Sequence, residues 1–188
     1  MNIEKIKKEL DTCKLIKEIK YFQEISSTNQ YPKENYINSN TLILAESQTH
    51  GKGKGNRIWH TSKNTSIAMT IYVKPYCNIQ EIENITLKIG TIIKQIIDNF
   101  YNVNLNIKLP NDLFLNGKKL CGILVESKVQ ENKVTDLIIG IGINVNQENI
   151  PSELENIATS LKIETHKEVQ REIIICEICK QLERNLKC

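Results

Sequence analysis

The sequence predicts an α+β domain whose sheet is mostly antiparallel, and three observations carry that reading. Residues 82–100 repeat large apolar side chains every three or four positions (Ile82, Ile85, Ile89, Ile92, Ile93, Ile96, Phe100), the period of an amphipathic helix. Four short apolar segments then follow in quick succession, as a strand meander does. Helical patterns flank this region at both ends of the chain, a mixture that fits helices packed on an antiparallel sheet.

Taken in order, Ile3, Ile6, Leu10 and Cys13 share one helical face and predict a helix over residues 3–17. IKYFQEI (19–25) reads as a strand, and SSTNQ (26–30) supplies N-cap chemistry for a helix after it. TLILAES (41–47) and SIAMTIYV (66–73) read as strands on either side of a glycine-rich loop. After the long helix, the strands are LNIKL (105–109), DLFLN (112–116), KLCGILVES (119–127) and VTDLIIGIGINV (134–145). Asn116-Gly117 between two of them is a hairpin signal. A short helix near 151–161 and a longer one over about 168–186 close the chain. No repeat or linker divides it, so one domain is expected over 1–188: an N-terminal helix (1–18), a motif-bearing core (19–162) and a C-terminal helix (163–188).

Bulk properties narrow the function classes. With 188 residues, 40% of them hydrophobic and 25% charged, the chain reads as a soluble globular protein able to bury its own core. A net charge of +3 is too mild for a nucleic-acid partner, which needs a concentrated basic face. No apolar run is long enough for a membrane span, and MNIEKIKKELDTCK lacks the apolar core of a secretory signal, so a cytoplasmic location is expected. The six cysteines (13, 77, 121, 176, 179 and 188) are then reduced thiols, and the CxxC of Cys176 and Cys179 reads as buried helix residues. His50 and His60 lack acidic or thiol partners at ligand spacing, and no metal site is expected.

THGKGKGNRIW (49–59) is the segment with the most specific chemistry. Gly51, Gly53 and Gly55 alternate with Lys52 and Lys54, in a chain of only 8 glycines. Such a backbone can approach a ligand closely, and ammonium groups beside exposed amides suit a phosphate or carboxylate. It matches neither GxxxxGK[ST] nor a GxGxxG that opens a helix. Gly122, Gly140 and Gly142 interrupt otherwise apolar strands, as happens where a ligand lies against the backbone, and Asn144 at a buried strand end needs a partner.

Taken together, these segments resemble the biotin protein ligase family, the biotin–[acetyl-CoA-carboxylase] ligases. SSTNQ resembles the family's STN, AESQTHGKGKGNRIW its AExQTxGRGRxGRxW, KLPNDLFL its KWPNDxxx, KKLCGILVE its KxxGILxE, and GIGINVN its GxGxNVN, in order from about residue 20 to 162. The resemblance implies a mixed, mostly antiparallel sheet packed against helices, the biotin/lipoate ligase and class II synthetase-like fold. It implies an ATP-dependent reaction in which biotin becomes biotinyl-5′-AMP and then passes to a lysine of a biotin carboxyl carrier protein. ATP with Mg2+ and biotin are the substrates implied, with no tightly bound prosthetic group. By position, the resemblance gives Ser27, Thr28, Asn29 and Gln48 to the biotin head group, and Gly51, Lys52, Gly53, Lys54 and Trp59 to a mobile lid over biotin and adenylate. Gly122 and Gly142 line the biotin pocket; Lys108, Asn111 and Asn144 face the nucleotide.

Lys119 is the expected catalytic cation, because biotin carboxylate and α-phosphate repel each other and need a fixed positive charge between them. Asp112 matches a family aspartate linked to the transfer step, which implies a base or orienter for the acceptor lysine, since that lysine must lose a proton to attack. Several departures stand out. Lys52 and Lys54 replace the family's arginines and lack the bidentate fork; Asn56 replaces a glycine and Leu109 a tryptophan. Too few residues precede the first strand for the winged helix of repressor relatives, and no SH3-like barrel follows, so no operator binding is expected. A homodimer stays open. The rivals are a lipoate ligase or octanoyltransferase, whose RRxxGGG-type segment is not found, and an inactive biotin-binding module.

Overall fold

The computed structural model describes residues 1–55 and 57–186. Asn56 and Cys188, both named above, lie outside the described residues. Helix α1 (Ile3–Leu10) is capped by Asn2, whose side chain accepts from the Lys5 amide at 3.0 Å. It ends well before residue 17. The chain continues in three-residue turns, Cys13 N donating to Leu10 O and Ile16 N to Cys13 O, which keep Leu10, Cys13 and Ile16 buried. An apolar period of three is that of i→i+3 turns rather than of a longer α-helix.

Strands β1 (Glu18–Phe22) and β2 (Thr41–Ala45) run parallel, joined through the short helix α2 (Tyr31–Glu34). The N-cap of α2 is Gln30 and its side chain makes no capping bond, so Ser27 and Thr28 are not the caps the sequence suggested. Strand β3 (Ser66–Val73) and the short β4 (Cys77–Asn78) lead to helix α3 (Ile85–Tyr101). Then come β5 (Asn106–Lys108), β6 (Asp112–Leu115), β7 (Lys118–Gln130) and β8 (Lys133–Asn144), followed by α4 (Leu161–Thr165) and α5 (Arg171–Asn185). The expected helix near 151–161 is instead a set of turns, and helix begins only at Leu161, where the Ser160 hydroxyl accepts from the Ile163 amide. Asn116 and Gly117, with φ of 49° and 80°, make the tight turn between β6 and β7.

The strands form one sheet in the order β1-β2-β3-β8-β7-β6-β5, with β4 pairing to β8. Only β1–β2 is parallel among the described pairs, so the sheet is mixed and mostly antiparallel. Its two faces differ sharply in side-chain volume. One cross-strand row reads Leu44, Met69, Ile141, Ile123 and packs with Ile6, Ile89, Ile93, Ile97, Ile174 and Ile178 from α1, α3 and α5 in the main core. The adjacent row, facing the other way, reads Ala45, Ala68, Gly142, Gly122, Asp112. All three long helices cover the first face and leave the second open.

A buried ion pair ties the last helix to both ends of the glycine loop. Arg171, at the start of α5, donates to Glu46 Oε2 at 2.7 Å and to the Ser66 carbonyl at 2.8 Å, and Glu46 and Ser66 bracket residues 47–65. Glu46 also accepts from Tyr21 Oη and the Met1 amine. Burial pushes the Glu46 carboxyl up, but hydrogen bonds from Arg171 and the Met1 amine outweigh it and hold the pKa below the ordinary value. Cys176 and Cys179 are buried in α5, where burial raises both thiols, as the helix-core reading expects. Among the described residues no helix is long and apolar enough to cross a membrane.

Arg171→Met leaves Glu46 with only the Met1 amine and the Tyr21 hydroxyl and should cost about 1.5–3 kcal/mol in urea unfolding, while adding Glu46→Gln to it should recover part of the loss. Because the folded pKa of Glu46 is depressed, the stabilisation is present above the unfolded value of about 4.3 and is lost as pH falls through the folded one. The wild-type advantage over the double variant should therefore shrink below about pH 4.3.

Candidate active site

The open face of the sheet floors a cavity of about 850 Å³. Its floor is the Gly142, Gly122 and Asp112 end of the small-residue row, and its walls are the chain before α2, the glycine loop, the β5–β6 turn and the segment after β8. Two of the glycines make room for the protein's own side chains. A Cβ on Gly142 would lie 2.3 Å from the Trp59 ring, and one on Gly122 would lie 2.9 Å from the same ring. The indole therefore lies flat on bare backbone at the base of the cavity. Gly140 makes room for Asn29 in the same way, with Oδ1 2.1 Å from a would-be Cβ. Glycine in these strands thus serves the indole and the carboxamide, which face the cavity in its place.

Lys119 reaches this face because β7 carries a bulge. Leu113 pairs with Cys121 and Phe114 with Lys119, leaving Leu120 as the extra residue. Leu120 and Cys121 both turn into the core, both fully buried. Strict alternation from Gly122 would have sent Lys119 into the core as well; the bulge returns it to the open face. There its Nζ is 2.8 Å from Asp112 Oδ1 and 5.5 Å from the Trp59 ring centroid. Its backbone is pinned by the segment after β8, Lys119 N donating to Ile157 O and Thr159 N to Lys119 O, at 2.8 and 3.0 Å. The two residues expected to be catalytic thus form one ion pair beside the expected tryptophan.

Ser27, Thr28, Asn29 and Gln48 stand together at one end of the cavity. Gln48 Oε1 accepts from Thr28 N at 2.8 Å and Thr28 Oγ1 at 3.0 Å, and its Nε2 donates to Thr61. Lys52, Gly53, Lys54 and Lys108 line the mouth, and Lys108 stacks over Phe114. The glycine loop folds as a narrow hairpin, Trp59 N donating to Gly51 O and Gly53 N to Arg57 O, both at 2.9 Å. Gly51 itself does not line the cavity; it lies under the Trp59 carbonyl, which a Cβ would meet at 2.3 Å. Asn111 and Asn144 line the cavity, and each commits one amide N–H to the protein, Asn111 to Ile123 O and Asn144 to Thr159 O. Asn144 Oδ1 accepts from Gln147, so the partner its burial demanded is the protein itself.

Apart from Asp112 Oδ1, which faces the Lys119 ammonium, three buried polar atoms on the cavity wall lack a partner among the described residues: Ser27 Oγ, Trp59 Nε1 and Gln147 Oε1. Buried polar atoms left unpaired cost about 1–3 kcal/mol each, so a cavity that gathers three of them is suited to a polar guest. Sequence reasoning missed Gln147, Arg57, Ile150, Pro151, Leu154 and residues 156–158, all of which line the cavity. The signal for Arg57 was present in NRIW; the closing segment had none, since only its folding back across Lys119 brings it here.

A family model described as Biotin/lipoate A/B protein ligase family matches residues 21–144, which hold the floor, Lys119, Asp112 and the glycine loop. The chain belongs to the biotin/lipoate A/B protein ligase family. It is 35% identical over 172 residues to the bifunctional ligase/repressor BirA of Bacillus spizizenii, covering 88% of this chain and 53% of that protein. The biotin–[acetyl-CoA-carboxylase] ligase of Mycobacterium tuberculosis is 31% identical over 124 residues, 64% of this chain and 44% of that protein. The chain thus spans about half the length of the curated relatives it matches. The biotin protein ligase of Aquifex aeolicus, solved in complex with biotin and ATP, superposes with a TM-score of 0.77 at 29% identity, over 92% of this chain and 71% of that one. Within this fold the helices pack on one face of the sheet and the cavity opens on the other.

The glycine floor makes a direct forecast. Gly142→Ala puts a methyl inside the Trp59 ring and should expel the indole, at a cost of about 1–3 kcal/mol. Trp59 is the single tryptophan, so its fluorescence should shift to longer wavelength; an unchanged emission spectrum would show that the ring does not depend on the bare backbone.

Proposed function

We propose that this chain is an ATP-dependent biotin–protein ligase, which activates biotin as biotinyl-5′-AMP and transfers it to a lysine of a biotin carboxyl carrier protein. The observation that carries this reading is the joining, in one cavity, of the Lys119–Asp112 ion pair with unpaired buried polar atoms and a cationic rim. The relatives' ligase names and the biotin and ATP in the Aquifex complex support it.

In this reading the ureido ring of biotin lies among Ser27, Thr28 and Asn29, where its carbonyl and two N–H groups meet small polar side chains. The valeryl chain runs over the Trp59 indole toward Lys119. Lys52, Lys54, Arg57 and Lys108 bring four cations to the mouth for the triphosphate of MgATP. Lys119 brings the carboxylate and α-phosphate together and stabilises charge on the phosphorus-bound oxygens, and its pinned backbone means little reorganisation is needed. Asp112 holds that ammonium in place and accepts the proton of the acceptor lysine in the second step. Arg57 supplies a guanidinium in a loop whose other cations are lysines, restoring one planar fork for phosphate oxygens.

Biotin-dependent ATP–pyrophosphate exchange tests the reading, with lipoate as the alternative acid. Biotin should support exchange and lipoate should not; exchange with lipoate alone would reassign the substrate. Lys119→Ala should lower exchange by about 10²–10³ with the fold intact by circular dichroism. Asp112→Ala should lower transfer to the carrier more than exchange, and equal losses would remove its role in the second step.

A further inference from the structure

The Asn29 carboxamide is held in one orientation by Leu124, which lines the cavity, and by Glu126 and Thr70, which do not. Its Nδ2 has two acceptors, the Leu124 carbonyl at 3.3 Å and Glu126 Oε2 at 3.2 Å. Neither acceptor can donate, so the amide group facing them must be the NH2 and not the oxygen. The oxygen consequently faces Thr70, whose hydroxyl donates to Oδ1 at 2.6 Å. Glu126 is in turn fixed by Lys33 from α2, at 2.7 Å to its other carboxylate oxygen. Lys33, Thr70 and Glu126 do not line the cavity, whereas Asn29 does. Both N–H groups of Asn29 are thus spent on the protein, and only a lone pair of Oδ1 is left for a guest.

We propose that Glu126 is a positioning residue which, with Lys33 and Thr70, locks Asn29 as a pure acceptor, so that this end of the site selects a ring N–H donor. This rests on the biotin reading above and specifies the polarity of its head-group contact. Were the carboxamide free to turn, it could offer an N–H as readily as an oxygen and would accept a ligand carbonyl there. The lock removes that choice, because a turned amide would set its oxygen against a carboxylate and a carbonyl. The same ion pair ties α2, and with it the Ser27–Asn29 segment, to β7.

The test compares biotin with its two N-methylated ureido isomers by calorimetry, on the wild type, Glu126→Leu, Glu126→Gln and Lys33→Met. Wild type should bind biotin and reject the isomer whose methyl replaces the selected N–H. Glu126→Leu should weaken biotin binding roughly tenfold, about one hydrogen bond's worth, and narrow the gap between the two isomers. Glu126→Gln, which can still present an oxygen to Asn29, should recover most of both effects. In exchange kinetics the KM for biotin should rise in Glu126→Leu while kcat at saturating biotin stays within about twofold, as loss of ground-state and transition-state binding alike requires. Lys33→Met, at an exposed position, should move the same readouts in the same direction by less, and serves if Glu126→Leu does not fold. Unchanged affinity and isomer preference in the folded variants, or a fall in kcat at constant KM, would overturn the positioning role. A wild-type chain that binds no biotin would instead overturn the function it rests on.

Discussion

The constraint on which the rest of the structure depends is a strip of sheet with almost no side chains. Ala45, Ala68, Gly142 and Gly122 follow one another across four neighbouring strands and end at Asp112. A sheet face normally hides its backbone under side chains; here the bare face can be covered only by something laid on it. Trp59 covers Gly142 and Gly122, Asn29 covers Gly140 in the next row of the same face, and the cavity opens beside them. The opposite face carries isoleucine, leucine and methionine in register with these small residues and takes all three long helices. The helix-packed core and the cavity thus lie on opposite sides of one sheet, with a smaller buried cluster of Ile43, Tyr72 and Ile138 on the cavity side.

Holding a loop over bare backbone needs anchorage, because the glycines that permit the close approach also raise the entropy to be lost. The anchors are polar and lie at the loop's ends. Arg171 grips Glu46 before the loop and Ser66 after it, and Gln147 ties Ser66 to Asn144 at the end of the floor strand. The C-terminal helix, remote in sequence, thus sets where the loop begins and ends. The segment after β8 does the corresponding work for Lys119 by pairing with its backbone.

Much of the site was legible in the sequence because its constraints are local. IGIGIN alternates isoleucine with glycine, and period-two alternation in a strand means one packed face and one stripped face whatever the partner strands are. The Asn116-Gly117 turn and the long helix were legible for the same reason, their conformations being set by neighbours within a few residues. The first helix was read too long, because Cys13 and Ile16 continue an apolar pattern whose period of three belongs to turns. The glycines were read as room for a ligand, whereas their immediate occupants are Trp59 and Asn29.

By itself, the sequence determined the strand faces, the cationic character of the loop and the residue types available for chemistry, since each follows from periodicity and side-chain identity. Only the tertiary structure decided that Lys119 meets Asp112, because a one-residue bulge at Leu120 reverses the side on which every later residue of that strand would otherwise be counted. It alone decided, too, that Asn29 presents an acceptor. The polarity of an amide is fixed by the groups around it, and those come from Leu124, Glu126 and Thr70, each some forty or more positions away.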